Sequence, residues 1–197
     1  MSFYLEITLL PGIDVNLFHL WEKVYSQTHL AMAKQLNSNG HSKIGVSFPE
    51  YSSEEKRLGK ILRLLAEKKE HLEHLAINKW LNRLQEYVHI TSIRPIPTKR
   101  ISGYILFRRE RSKSNIERII RRKAKREGIS EENAKEKLGD FKEKFSNSPY
   151  INIKSLSTGK KFKLFILKKN IDSMSKGNRT FGSYGLGITD SSFVPEF

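Results

Sequence analysis

The chain has 197 residues, 38% hydrophobic and 10% aromatic, a globular composition that excludes a disordered basic tail. Its 36 Lys/Arg against 21 Asp/Glu leave a net charge of +15, which points to a polyanionic partner, nucleic acid ahead of acidic membrane. Cysteine is absent, and that excludes disulfides, thiolate zinc sites and a cysteine nucleophile.

Phe3 to Leu10 alternates as a strand and ends at Pro11-Gly12. No apolar run reaches membrane-spanning length, and the first ten residues lack a basic n-region and carry Glu6, so a cytoplasmic protein is expected. Asp14 is placed to cap a helix whose apolar stripe is Leu17, Phe18, Trp21, Val24, Tyr25, Met32 and Leu36, closed by Asn39-Gly40. Lys43 to Phe48 is a strand stopped by Pro49. Residues 54–87 favour helix throughout, but Gly59 breaks the run, which admits a strand over 60–65 before a helix from about 67 to 87. Val88 to Ile93 is a further strand, and Pro95 and Pro97 mark a boundary. The order β-α-β-(β)-α-β is that of a ferredoxin-like domain, a scaffold common among RNA binders.

The second half opens with a strand over 100–108 and runs into its most basic segment. From Lys99 to Arg126 there are twelve Lys/Arg and two acidic residues, a surplus of ten charges in 28 residues. Ser114 and Glu117 have capping-box spacing, and Arg118, Arg121, Arg122 and Lys125 then share one helical face, with Ile116, Ile119 and Ile120 on another. A basic face anchored by isoleucines suits the wall of a nucleic-acid groove. Ser130 caps a short helix over 131–138, and strands follow at 149–154 and 161–169.

Among six histidines, His71 and His74 are spaced i, i+3 but have no third metal ligand. His29 lies at the edge of the first helix's apolar stripe, one turn after Tyr25, where a core histidine and a catalyst are both consistent with the spacing. Ser155 and Ser157 alternate before Thr158-Gly159, which fits two hydroxyls on one face beside a ligand backbone, or an ordinary turn. In FGSYGLG the glycines at 182, 185 and 187 fit phosphate cradling or tight turns that expose Tyr184.

Taken together, IGVSFPEY (44–51), KSNIERIIRRKAKR (113–126), SLSTGKKFKLFI (155–166), YGLG (184–187) and SFVPEF (192–197) resemble the CRISPR-associated repeat-processing endoribonucleases of type I-F systems. The similarity runs in order along essentially the whole chain. It implies an α+β protein: a ferredoxin-like domain over 1–97 carrying the catalytic histidine, then a smaller α+β domain over 98–197 with an arginine-rich RNA-binding helix. Such enzymes bind the repeat hairpin of precursor CRISPR RNA and cut at its 3′ base without a metal or other cofactor. The ribose 2′-hydroxyl attacks, a 2′,3′-cyclic phosphate is left, and the enzyme keeps hold of the mature crRNA and joins the surveillance complex. The free protein is expected to be a monomer.

Carried over position by position, the resemblance makes His29 the catalytic histidine, Ser155 the holder of the 2′-hydroxyl and Tyr184 the residue that orients the histidine. Ser157 and Thr158 would contact RNA beside the cut, and Phe162 would stack on a base at the foot of the hairpin. Lys113, Ser114, Asn115, Arg118, Arg121, Arg122, Lys125 and Arg126 would lie along the stem. Arg109 and Arg111 fall where the family reads base edges, Arg111 standing where a Gln is familiar, which bears on guanine against adenine preference. Lys125 stands for an arginine and gives up bidentate phosphate contact. The alternative reading is a non-catalytic RNA stem-loop-binding protein that uses the same basic helix.

Overall fold

The computed structural model describes residues 1–110, 116–139, 146–155, 158–172 and 179–197, with side chains in the helix that begins at Ile116 described from Ile119 onward. The expected positions Arg111, Lys113, Ser114, Asn115 and Ser157 lie outside the described residues, as does the Ser114 half of the capping box. The chain divides into two compact units, Met1–Arg109 with Ser148–Phe197, and Glu110–Asn147.

In the first unit, β1 (Phe3–Leu9) buries Leu5, Ile7 and Leu9, the period-2 pattern of a half-buried strand. Helix α1 (Leu17–Ala33) follows, then β2 (Ile44–Ser47), β3 (Ile61–Ala66), α2 (Lys69–Leu75), α3 (Ile77–Trp80), β4 (Val88–Ile90) and β5 (Arg94–Pro95). The sheet order is β2-β3-β1-β4, all pairs antiparallel, with β5 adding to β1. β3 lies in the middle of this sheet, with Leu64 opposite both Leu5 and Val46. The chain is therefore α+β.

Among the boundaries that differ from expectation, three concern the helices of this unit. Asn16, not Asp14, caps α1, its Oδ1 accepting from the His19 amide at 3.0 Å. The helix stops at Ala33 because the Asn37 side chain takes up the amides of Asn39 and His41, a local arrangement that competes with further helix. The single helix expected over 67–87 is broken at Ala76, which adopts left-handed φ 47° and ψ 45°. An unbroken helix after Leu72 and Leu75 would turn Lys79 inward; the break buries Ile77 and Leu81 instead.

A second sheet has the order β7-β8-β6-β9, where β6 is Gly103–Glu110, β7 Tyr150–Lys154, β8 Lys161–Asn170 and β9 Val194–Glu196. Strand β9 was not foreseen; Pro195 is tolerated there because β9 is an edge. One hydrophobic core takes residues from both sheets, with Phe48 meeting Phe107 edge-on at 5.1 Å.

In the second unit, α4 (Ile116–Glu127) and α5 (Glu131–Glu136) share a small core of Ile120, Ala124 and Ala134. Ser130 caps α5, accepting from the Asn133 amide at 3.2 Å.

Candidate active site

The buried side of α1 places Trp21, Val24, Tyr25 and Thr28 in the core. His29, one turn after Tyr25, is left half-buried at its margin. Against it comes the loop over 180–187. Ser42 and Phe181 donate to each other's carbonyls, and the Val46 amide donates to the Gly185 carbonyl at 3.0 Å, so the loop lies along β2. Two glycines permit this approach. A Cβ on Gly45 would meet the Phe181 ring at 2.7 Å. Gly185 has φ +69°, and a Cβ there would meet Val46 Cγ1 at 2.5 Å. The loop is a set of packed turns.

The seat this makes for His29 is specific. Its Nδ1 lies 2.8 Å from the Ser183 carbonyl oxygen, and the Tyr184 ring stacks on the imidazole with centroids 3.9 Å apart and planes 10° apart. A carbonyl oxygen only accepts, so Nδ1 carries the hydrogen and the neutral ring presents its lone pair at Nε2. Burial lowers the His29 pKa below the ordinary histidine value, opposed by the Ser183 carbonyl. The imidazole is therefore neutral at physiological pH.

Tyr25 fixes the loop from below, its hydroxyl donating to the Tyr184 carbonyl at 2.8 Å. Burial pushes the Tyr25 pKa far up, so it remains a donor across the working range. Burial also raises the Tyr184 pKa, while the charge of Arg109 works against that rise. Arg109 is exposed on β6, its guanidinium 5.0 Å from the centre of the Phe162 ring on β8.

The structure thus brings His29 and Tyr184 into contact, and Arg109 and Phe162 into a second pair. Ser155 follows β7 in the turn to β8; its amide donates to the Lys160 carbonyl at 2.9 Å and its Oγ accepts from the amide of the exposed Thr158 at 3.3 Å. In the second unit Arg121, Arg122, Lys125 and Arg126 are exposed on α4, and Arg126 meets Glu127 at 3.3 Å. Arg118 belongs to α4 by its backbone. Among the described residues no group of three or more His, Asp or Glu could hold a metal ion, and no helix is long and apolar enough to cross a membrane.

Comparison with known proteins gives this geometry a family. The model of the CRISPR-associated protein (Cas_Csy4) family matches residues 4–197. The chain belongs to that family. It is similar to the CRISPR-associated endonuclease Cas6/Csy4 of Escherichia coli (strain UTI89 / UPEC), 33% identical over 190 residues that cover 96% of this chain and 97% of the relative. The protein of the same name from Pseudomonas aeruginosa (strain UCBPP-PA14) is 32% identical over the full length of both. For a Cas6/Csy4 family member, two contributors to the site had been missed. The Ser183 carbonyl is backbone, which leaves no signature in residue type. Tyr25 read as apolar stripe, although its place four residues before His29 was a signal that both serve one end of the helix.

Proposed function

We propose that the chain is a metal-independent endoribonuclease that binds the repeat hairpin of precursor CRISPR RNA and cleaves at its 3′ base. The observation that carries the reading is the His29 seat: a neutral imidazole whose Nδ1 is held by a carbonyl and whose Nε2 is a proton acceptor. RNA brings its own nucleophile, so the protein has to position, deprotonate and stabilise, and the chemistry has no step that calls for a metal. His29 Nε2 takes the proton of the 2′-hydroxyl, that oxygen bonds to phosphorus, the bond to the 5′-oxygen of the next nucleotide breaks, and the leaving oxygen gains a proton from solvent, to which the imidazolium of His29 releases the one it took. The products are a 2′,3′-cyclic phosphate and a 5′-hydroxyl. Tyr184, stacked on the ring, acts as the positioning residue for His29.

Ser155 as the holder of the 2′-hydroxyl is supported by its place in the fold. It directly follows β7, the strand that packs against α1, the helix of His29, with the Phe18 and Tyr150 ring centroids 5.8 Å apart.

RNA recognition is assigned to residues 98–197. The cations of α4, with Lys113, Ser114 and Asn115 before it, follow the stem phosphates, and Arg109 and Arg111 read base edges. Phe162 stacks at the foot of the hairpin, with Ser157 and Thr158 beside the cut. The strand order β2-β3-β1-β4, with helices between β1 and β2 and between β3 and β4, supports a ferredoxin-like reading of residues 1–97. Retention of the mature crRNA and entry into the surveillance complex complete the proposal. A 2′-deoxy nucleotide at the scissile position tests it: binding persists and cleavage stops. Continued cleavage of that substrate would refute 2′-hydroxyl attack.

A further inference from the structure

A cleft in the first unit lies between α1 and the segment that follows α2. It is lined by Lys23, Gln27, Lys79, Trp80, Asn82 and Arg83, together with Leu84. Lys23, Lys79, Asn82 and Arg83 are exposed, and no carboxylate lines the cleft. Trp80 is partly exposed within it, with the ammonium of Lys34 at 5.0 Å from the ring centre. On α1 and its C-cap, Lys23, Gln27 and Lys34 are spaced i, i+4 and i+11 and so share a face about a third of a turn around from His29.

Three features decide what this cleft fits. Its volume of about 340 Å³ is at the small end of the roughly 300–1,000 Å³ of ligand sites, a space for a single nucleotide unit and too small for a duplex. An indole in a ring of cations is the combination used for unpaired strands, where bases stack on an aromatic while lysines and arginines follow the phosphates. The amides of Gln27 and Asn82 supply donors and acceptors for a base edge. Lys34 does not block the platform, because an exposed cation–π contact is weaker than base stacking and the displaced ammonium can move to a phosphate.

We propose that this cleft binds the single-stranded RNA that adjoins the hairpin, with Trp80 as the stacking platform and Lys23, Lys34, Lys79 and Arg83 on its phosphates. The inference rests on the hairpin-endonuclease reading above. None of the residues assigned there belongs to the cleft, so the two are separable.

The chain has two tryptophans, and Trp21 is 4% exposed with its indole N–H bonded to the Gly59 carbonyl at 2.9 Å. Fluorescence quenching by RNA therefore reports Trp80. The full-length protein is titrated with the repeat hairpin carrying a 2′-deoxy scissile nucleotide, either bare or with short single-stranded extensions on the 5′ or the 3′ side. Quenching is expected with at least one extended RNA and not with the bare hairpin. Trp80→Leu is expected to weaken the extended RNA about tenfold, within the range for one stacked base, and to leave the bare hairpin unaffected. The exposed pair Lys23→Ala/Lys79→Ala, which keeps the indole as a check on folding, is expected to lower the salt slope for extended RNA by about 1.4, about 0.7 per single-strand phosphate. Extensions that give no quenching, or variants that bind extended and bare RNA as the parent does, would overturn the proposal. So would equal quenching by polyglutamate, which would give the face to an acidic protein partner. Cleavage of the unmodified bare hairpin is scored separately: its failure would refute the endonuclease reading, while the cleft stands or falls on the quenching.

Discussion

Gly185→Ala tests whether the seat of His29 depends on how the 180–187 loop is packed. Gly185 has φ +69°, and an alanine there takes on the left-handed penalty of roughly 1–2 kcal/mol. Its Cβ would lie 2.5 Å from Val46 Cγ1 and 3.1 Å from Met32 Sδ, both buried, so the loop must lift. Overpacking of that kind costs roughly 1–3 kcal/mol, which makes the total roughly 2–5 kcal/mol. At about 2–4 °C per kcal/mol for a chain of this size, Tm should fall by roughly 4–20 °C. Because Ser183 and Tyr184 directly precede Gly185, the shift also moves both partners of His29. A displacement of about 1 Å there should lower kcat about 100-fold at a temperature where the variant is folded. Gly182→Ala is the control: φ there is ordinary, the nearest atom to an added Cβ is 3.8 Å away, and the change should be within about 0.5 kcal/mol. Thermal melts and single-turnover cleavage of the hairpin measure both effects. A Gly185→Ala protein with parental Tm and kcat, or a Gly182→Ala protein that is just as impaired, would refute the packing argument.

Other outcomes follow from the same geometry. His29→Ala should bind the hairpin normally in a filter assay and cleave roughly 10²–10⁴-fold more slowly. Because burial sets the folded pKa of His29 below 6.5, kcat/KM should be flat above that pH and fall on the acid side through an apparent pKa lower than 6.5; the same group contributes stability that is full above 6.5 and lost as pH falls toward the folded value. An acid limb that persists unchanged in His29→Ala would assign it to another group. Tyr25→Phe removes the donor to the Tyr184 carbonyl and should cost roughly 1–3 kcal/mol in a denaturant titration, with a lower kcat and an unchanged hairpin Kd. Arg121→Ala/Arg122→Ala should reduce the salt slope of hairpin binding by about 1.4–1.8, measured as log K against log salt, with cleavage of bound RNA little altered.

Periodicity was enough for β1 and α1, because alternation and a 3.6-residue stripe record burial directly; the strand at 61–66 is buried along nearly its whole length, has no alternation to show, and was admitted only by the break at Gly59. Periodicity misread 67–87 as one helix because propensity is local: Lys, Glu and Leu favour helix throughout. The break at Ala76 is imposed by the need to bury Ile77 and Leu81 against the rest of the fold. The last strand, with Pro195 in it, carries no strand pattern of its own and forms because β6 offers an edge. At the site, His29 stood out only as a histidine beside an apolar stripe, and its role came from resemblance, not from spacing. What fixes it, a carbonyl of Ser183 and a hydroxyl of Tyr25, lies more than 150 residues away in one case and hidden in a hydrophobic pattern in the other. The glycines of FGSYGLG were visible, but which of them the packing requires depends on Val46 and Met32, a contact that sequence distance conceals.

The central claim is that a histidine and the substrate's own 2′-hydroxyl cut the RNA. The most direct measurement is incubation of the protein with labelled repeat-hairpin RNA in EDTA, followed by analysis of the product ends. One cut is expected at the 3′ base of the stem, with a 2′,3′-cyclic phosphate on the upstream fragment and a 5′-hydroxyl on the other. Tight binding without any cut, or a cut that leaves a 3′-hydroxyl and a 5′-phosphate, would contradict it.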